Sequence, residues 1–266
     1  MTPITRRNVL IVSGLGAGTL AVPGWAKAPA AASTLPWPGF PQLDPKMVAE
    51  TVGKSHFDEK RVRELVGMQP ALVNAWWDWG FGDWESPLGA ASHTGRREIA
   101  EFLIDQGARI DIFAAAMLGY TDVVKGLVAA RPGIQRTLGP HAITLLAHAE
   151  AGGDKSKDTF DYLMSLGDAG KILAQPIGED ERKKYIGTYQ FGDGAADRFE
   201  IKLDSRGRLV FAYATEGPRM IHSLGNNEFF PAGVPTTKFT FDLAKTPATL
   251  TIKSGADTIS ATRLAS

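Results

Sequence analysis

Between residues 86 and 128 the chain writes one helix-turn-helix pattern twice, and this repetition limits its possible folds more than any other feature. The first copy opens Ser86-Pro87-Leu88-Gly89-Ala90-Ala91-Ser92-His93-Thr94-Gly95 and continues Arg96-Arg97-Glu98-Ile99-Ala100-Glu101-Phe102-Leu103-Ile104-Asp105-Gln106-Gly107-Ala108. Pro87 suits the first turn of a helix, where its missing amide goes unnoticed, and Ala90 and Ala91 allow close packing. Gly95 falls where that helix must stop in a left-handed conformation, which glycine adopts most cheaply. Ile99, Phe102 and Leu103 make one apolar face at helical spacing. The second copy begins 24 residues on, as Phe113-Ala114-Ala115-Ala116-Met117-Leu118-Gly119-Tyr120, and its second helix carries Val123, Val124, Leu127 and Val128. A single pair of this kind cannot bury its apolar face, so a stack is required.

Looser copies flank the good ones. Val62, Leu65 and Val66 before Met68-Gln69-Pro70 match Val124, Leu127 and Val128 before Ala130-Arg131-Pro132. Ile143 to Gly153 reads as a fourth first helix, and Phe160 to Gly167 closes its partner after an insertion of about three residues. The spelling of residues 86–108 resembles the ankyrin repeat, whose consensus runs T-P-L-H, A-A, G-H, a second helix and G-A. That resemblance covers close to half the chain. It implies a protein-binding stack with finger loops directed at a partner. Ankyrin repeats run to about 33 residues, so the shorter interval before Phe113 implies a missing finger there. Phe57 stands where the first unit should carry its glycine, as in a degenerate cap.

After Gln175-Pro176 the period changes to two, as in Phe199, Ile201, Leu203 and Phe239, Phe241, Leu243. About eight short strands at even spacing suit a closed or nearly closed antiparallel sheet. Tyr185-Ile186-Gly187-Thr188-Tyr189, the Asp204 to Gly207 turn, Phe229 to Gly233 and Phe239-Thr240-Phe241 resemble the lipocalin-like accessory domains of periplasmic hydrolases. The hydrolase itself has no counterpart here. The expected class is α+β: an ankyrin-like helical domain over residues 46–172, then a small β-barrel or half-barrel over 177–266.

The first 28 residues bear on the compartment. Arg6 and Arg7, an acid-free run to Val22 and Ala26-Lys27-Ala28 resemble a twin-arginine signal peptide. Gly14, Gly16, Gly18 and Pro23 leave that run too short and too weakly apolar for a membrane span. The same glycines do not make a dinucleotide fingerprint, because no strand precedes them. Residues 29–45 hold Pro29, Pro36, Pro38, Pro41 and Pro45, an extended tether. Removal of the signal takes Arg6, Arg7 and Lys27 and no acid, leaving 26 basic against 29 acidic residues. That balance points to no nucleic acid and no anionic membrane. The chain contains no cysteine, so disulfides, thiolate metal sites and cysteine nucleophiles are all excluded. The expected location is the periplasm.

Catalytic signatures are missing. Neither Gly-x-Ser-x-Gly nor Ser-x-x-Lys occurs, and Lys253-Ser254-Gly255 reads as a hairpin turn. The five histidines form no close-spaced zinc motif. His141 and His148, seven apart, would share a helix face, but His141 follows Gly139-Pro140 in an inter-repeat loop and no third ligand is in view. No catalytic, cofactor or metal residue is assigned. The expected function is non-enzymatic binding of a protein partner. The candidate contact residues are Trp76, Trp77, Trp79 and Trp84, which equally suit capping the stack, together with His93, Arg96, Arg97, Tyr120 and His141. The alternative is a small-ligand carrier or weak hydrolase centred on the β domain, where Tyr189, Phe191, Phe211, Tyr213, Phe229 and Phe230 would line a cavity or else fill it.

Overall fold

The computed structural model describes residues 42–213 and 217–265. The signal-like segment and nearly all of the proline-rich linker lie outside these residues. From Leu43 onward the chain is one unit, helical first and then β.

Eight helices form four successive pairs: α1 (Pro45–Lys54) with α2 (Glu59–Met68), α3 (Pro87–His93) with α4 (Arg97–Asp105), α5 (Ile112–Leu118) with α6 (Thr121–Ala130), and α7 (Leu145–Ala151) with α8 (Lys157–Leu166). Each first helix begins on an oxygen that caps free amides: Asp44 accepts from Lys46, Ser86 from Gly89, Asp111 from Ala114 and Thr144 from Ala147. The first helices meet through small side chains. Ala90, Ala91, Ala114, Ala115, Ala116 and Ala149 are buried where α3 packs on α1, α5 and α7, and α5 on α7. Gly95 (φ +68°) closes the α3 turn so tightly that a Cβ there would lie 2.2 Å from the Ala151 carbonyl oxygen. Only glycine supplies both that φ and that space.

Arginines tie neighbouring pairs together. Arg96 Nε donates to the His56 carbonyl (3.0 Å), and the Arg97 guanidinium donates to the Met117 and Leu118 carbonyls (3.0 and 3.2 Å) at the C-terminus of α5, where a cation is favoured. No strand separates α4 from α5, as the shortened interval predicts. Between α2 and α3 a finger does form, from β1 (Trp77–Asp78) and β2 (Trp84–Glu85), antiparallel with Trp77 opposite Glu85. Asp78 Oδ1 accepts from the Gly80 and Gly82 amides and shapes its tip.

A short helix α9 (Glu179–Lys183) leads into β3 (Gly187–Gln190), β4 (Arg198–Leu203), β5 (Leu209–Tyr213), β6 (Arg219–Gly225), β7 (Glu228–Pro231), β8 (Lys238–Asp242), β9 (Thr249–Ser254) and β10 (Asp257–Arg263). Each strand pairs antiparallel with the next, and β10 pairs with β3, so the barrel is closed and no edge is left open. The half-barrel alternative is thereby excluded. Aromatic rings fill the interior: Tyr189 stacks on Phe199 (centroids 5.6 Å apart), Phe199 meets Phe211 (5.0 Å), Phe211 meets Phe239 (5.4 Å), and Phe229 meets Tyr185 (4.7 Å). The inward positions thus make a core and give the carrier reading no support. Lys253 and Ser254 end β9, paired with Thr258 and Asp257, and Gly255 (φ +60°) with Ala256 makes the β9–β10 turn.

The finger joins the two halves. Phe81 at its tip, in the left-handed region at φ +59°, packs its ring against Phe211 and Phe239 of the barrel interior (5.9 and 6.1 Å). Arg219 of β6 donates to the Trp79 and Gly80 carbonyls and to the Asp83 carboxylate. Among the described residues no helix is long and apolar enough to cross a membrane.

Candidate metal centre

Four donor side chains from four separate segments converge beside the finger: His56 from the turn after α1, His93 from the last position of α3, His141 from the turn Pro140–Ala142, and Glu85 from β2. Their ligand atoms all lie within 4.8 Å of one another. His56 Nε2 is 3.2 Å from His93 Nε2 and 3.5 Å from Glu85 Oε2, His93 Nε2 is 2.9 Å from Glu85 Oε1, and His141 Nε2 is 3.5 Å from Glu85 Oε2. Donors about 2.0–2.2 Å from one zinc ion sit about 3.3–3.6 Å apart on a tetrahedron. The two 3.5 Å contacts fall in that range and the 3.2 and 2.9 Å contacts lie just below it, so small side-chain shifts would seat a shared ion.

The outer contacts turn the nitrogens the right way. His56 Nδ1 lies 3.0 and 3.1 Å from the Gly53 and Val52 carbonyls, which accept its proton and leave Nε2 with its lone pair facing the cluster. His141 Nδ1 is 2.7 Å from Asp83 Oδ2, and its backbone amide donates to Asp83 Oδ1 (3.0 Å). This carboxylate–imidazole pairing commonly orients metal-ligating histidines. Glu85 is wholly buried, and its Oε2 accepts from Trp79 Nε1 (2.8 Å). Its Oε1 makes no hydrogen bond despite lying 2.9 Å from His93 Nε2. The two atoms are close without being aligned with each other, as ligands of a common ion are.

The charges fit. Burial pushes the Glu85 carboxyl up, but the imidazoles of His141 and His93 close beside it outweigh that and hold it at about 2. Burial likewise opposes protonation of His141, yet Asp83 and Glu85 raise it to about 9. His56 is lowered by burial, Glu85 only partly compensating, and so it is neutral near pH 7. Without metal, protonated His141 therefore faces the ionised Glu85 carboxylate near pH 7. An ion that displaces that proton finds an anionic ligand and three imidazoles, a set suited to zinc and its neighbours rather than to calcium or magnesium, which prefer oxygen.

Of the residues singled out from sequence, the centre gathers His93, His141 and Trp79. His148 does not join as a ligand: His141 sits in a left-handed turn (φ +58°), not on a shared helix, while His148 in α7 is fully buried with Nδ1 on the Thr144 carbonyl. Burial lowers it to about 4. Trp77 packs against the α1–α2 core, whereas Trp76 and Trp84 are 52% and 54% exposed. Arg96 and Arg97 serve the helix-to-helix contacts described above, and Tyr120 is 39% exposed at the α5–α6 turn. Sequence reasoning missed His56, Glu85, Asp83 and Arg219. The repeat register carried one usable signal: His56 just follows one first helix and His93 ends the next, so packing of α1 on α3 sets them side by side.

No protein-family pattern matches the chain, and no curated protein matches it significantly.

Proposed function

We propose that the chain is an exported, non-enzymatic binding protein on an ankyrin-like stack, and that it holds a divalent transition-metal ion of the zinc class. The ligands are Nε2 of His56, His93 and His141 and the Glu85 carboxylate. The observation that carries this reading is the convergence of three imidazole nitrogens on one buried, incompletely hydrogen-bonded carboxylate at neighbour-ligand separations. Four protein ligands fill a tetrahedral ion and leave no open position for water, the arrangement of a holding site rather than a catalytic one. This favours binding over hydrolysis. The exposed indoles of Trp76 and Trp84 support a protein partner at the outer face of the same finger.

Calorimetric titration of the EDTA-treated protein with zinc tests the metal reading. One ion per chain is expected at sub-micromolar affinity, with uptake displacing the proton from His141 at pH 7. Zinc at about 1,000 times its Kd should then stabilise the fold by about 4 kcal/mol. Absence of heat, together with an unmoved melting temperature, would rule the ion out. Export rests on Arg6 and Arg7. A reporter fused to residues 1–40 should reach the periplasm and fail to do so with R6K and R7K together, and retention of the unaltered fusion in the cytoplasm would remove that part.

A further inference from the structure

The ligands of the centre all come from the helical half and its finger, yet the barrel grips the group that aims one of them. Arg219 Nη1 lies 3.2 Å from Asp83 Oδ2, the same oxygen that sits 2.7 Å from His141 Nδ1. The chain guanidinium, carboxylate, imidazole therefore runs from β6 through the finger to the ligating nitrogen. Asp83 is 2% exposed, so its orientation is fixed by these partners and not by water. Arg219 also donates to the carbonyls of Trp79 (through Nη2) and Gly80, and at 3.4 Å to that of Ala232 in its own barrel. Its fork thus holds the finger and the carboxylate in one frame, which a single ammonium cannot reproduce.

The barrel surface is cut to receive that carboxylate. Gly233 stands at φ +87°, and a Cβ on it would lie 2.2 to 2.6 Å from the atoms of the Asp83 carboxyl group. The Phe81 ring seated against Phe211 and Phe239 anchors the finger from its tip. Resting on the metal reading above, we propose that Arg219 is a positioning residue for the metal: the barrel sets the affinity of the site by holding Asp83, and through it His141, in the ligating orientation. The β domain is then a clamp for the metal finger. The coupling is reciprocal, so the bound ion also tightens the seat of the finger on the barrel.

The test compares full-length wild type, Arg219→Met, Arg219→Lys and Gly233→Ala, each stripped with EDTA and titrated with zinc alone. Loss of an outer-shell partner typically costs 10 to 100-fold in metal affinity, so R219M should raise the Kd by about that factor, with R219K recovering part of it. Cobalt(II) loading gives the readout that a merely structural role would not move. Wild type should show the intense visible bands of a four-coordinate ion, and R219M the weaker bands of an ion that has lost His141 and taken up more than one water, raising its coordination number. Melting in EDTA checks that each variant is folded. If R219M fails to fold, G233A decides, since it pushes on Asp83 and leaves every hydrogen-bonding group in place. A folded variant that binds zinc within about twofold of wild type, with the same cobalt spectrum, overturns the barrel's role and leaves the metal reading intact. A wild type that takes up no zinc overturns both.

Discussion

Glu85→Gln is expected to weaken zinc binding by at least about 100-fold, the upper end of what even outer-shell changes cost, and to destabilise the metal-free protein by about 3 kcal/mol at pH 7. Both effects have one origin. Glu85 is the only carboxylate among the four ligands, and it alone contacts all three imidazoles. The amide keeps the shape and still accepts from Trp79 Nε1, but it carries no charge for the ion and none for protonated His141. The energetic figure follows from the carboxyl held at about 2 against its ordinary 4.5. Each unit is worth about 1.4 kcal/mol. A carboxyl with a lowered native pKa stabilises the fold fully above its unfolded value, and that contribution is lost as pH falls from 4.5 to 2. The variant should therefore unfold at lower urea near neutrality and converge on wild type in strong acid. Calorimetry with zinc and urea titrations at pH 7 and pH 2.5 measure the two halves separately. Unchanged zinc affinity in E85Q would remove Glu85 from the ligand set.

On the alkaline side the metal-free protein is expected to lose about 2 kcal/mol between pH 6.5 and 9, after allowance for the partial exposure of His141. Asp83 and Glu85 raise His141 to about 9 from its ordinary 6.5. A histidine with a raised native pKa contributes fully below the unfolded value and loses that contribution as pH climbs through the native one. Part of this energy is the same attraction counted for Glu85, so the two figures do not add. Zinc reverses the slope, because an ion competes with the proton for Nε2 and gains affinity as that proton leaves. Urea unfolding at pH 6, 7.5 and 9, in EDTA and then in saturating zinc, is the measurement. A His141→Gln protein should show a flat profile in EDTA. If wild type is equally flat there, His141 is not the protonated partner of the two carboxylates.

Much of the architecture is legible in the residues. Ser86, Asp111 and Thr144 announce helix starts because their side chains replace amide partners that the first turn lacks. Gly95 and Gly119 announce stops because only a residue without Cβ takes a left-handed turn at no cost. The alternation through Phe199-Ile201 and Phe239-Phe241 announces strands with one buried face. Local rules acting over two to four residues suffice for all of these. The metal ligands obey no such rule. His56, Glu85, His93 and His141 share no helix face and no short spacing, so a scan for ligand motifs passes over them.

What the sequence determined by itself is the succession of helix pairs and then strands, since periodicity and turn chemistry act along the chain. What only the tertiary structure decided is the centre, its closeness to the barrel and the roles of Asp83 and Arg219, which stand 136 residues apart and meet through the finger. The reason is geometric. Stacking brings the ends of successive first helices together, and closure of the eight-stranded barrel fixes where β6 presents its arginine. Neither distance exists until the apolar faces have been buried.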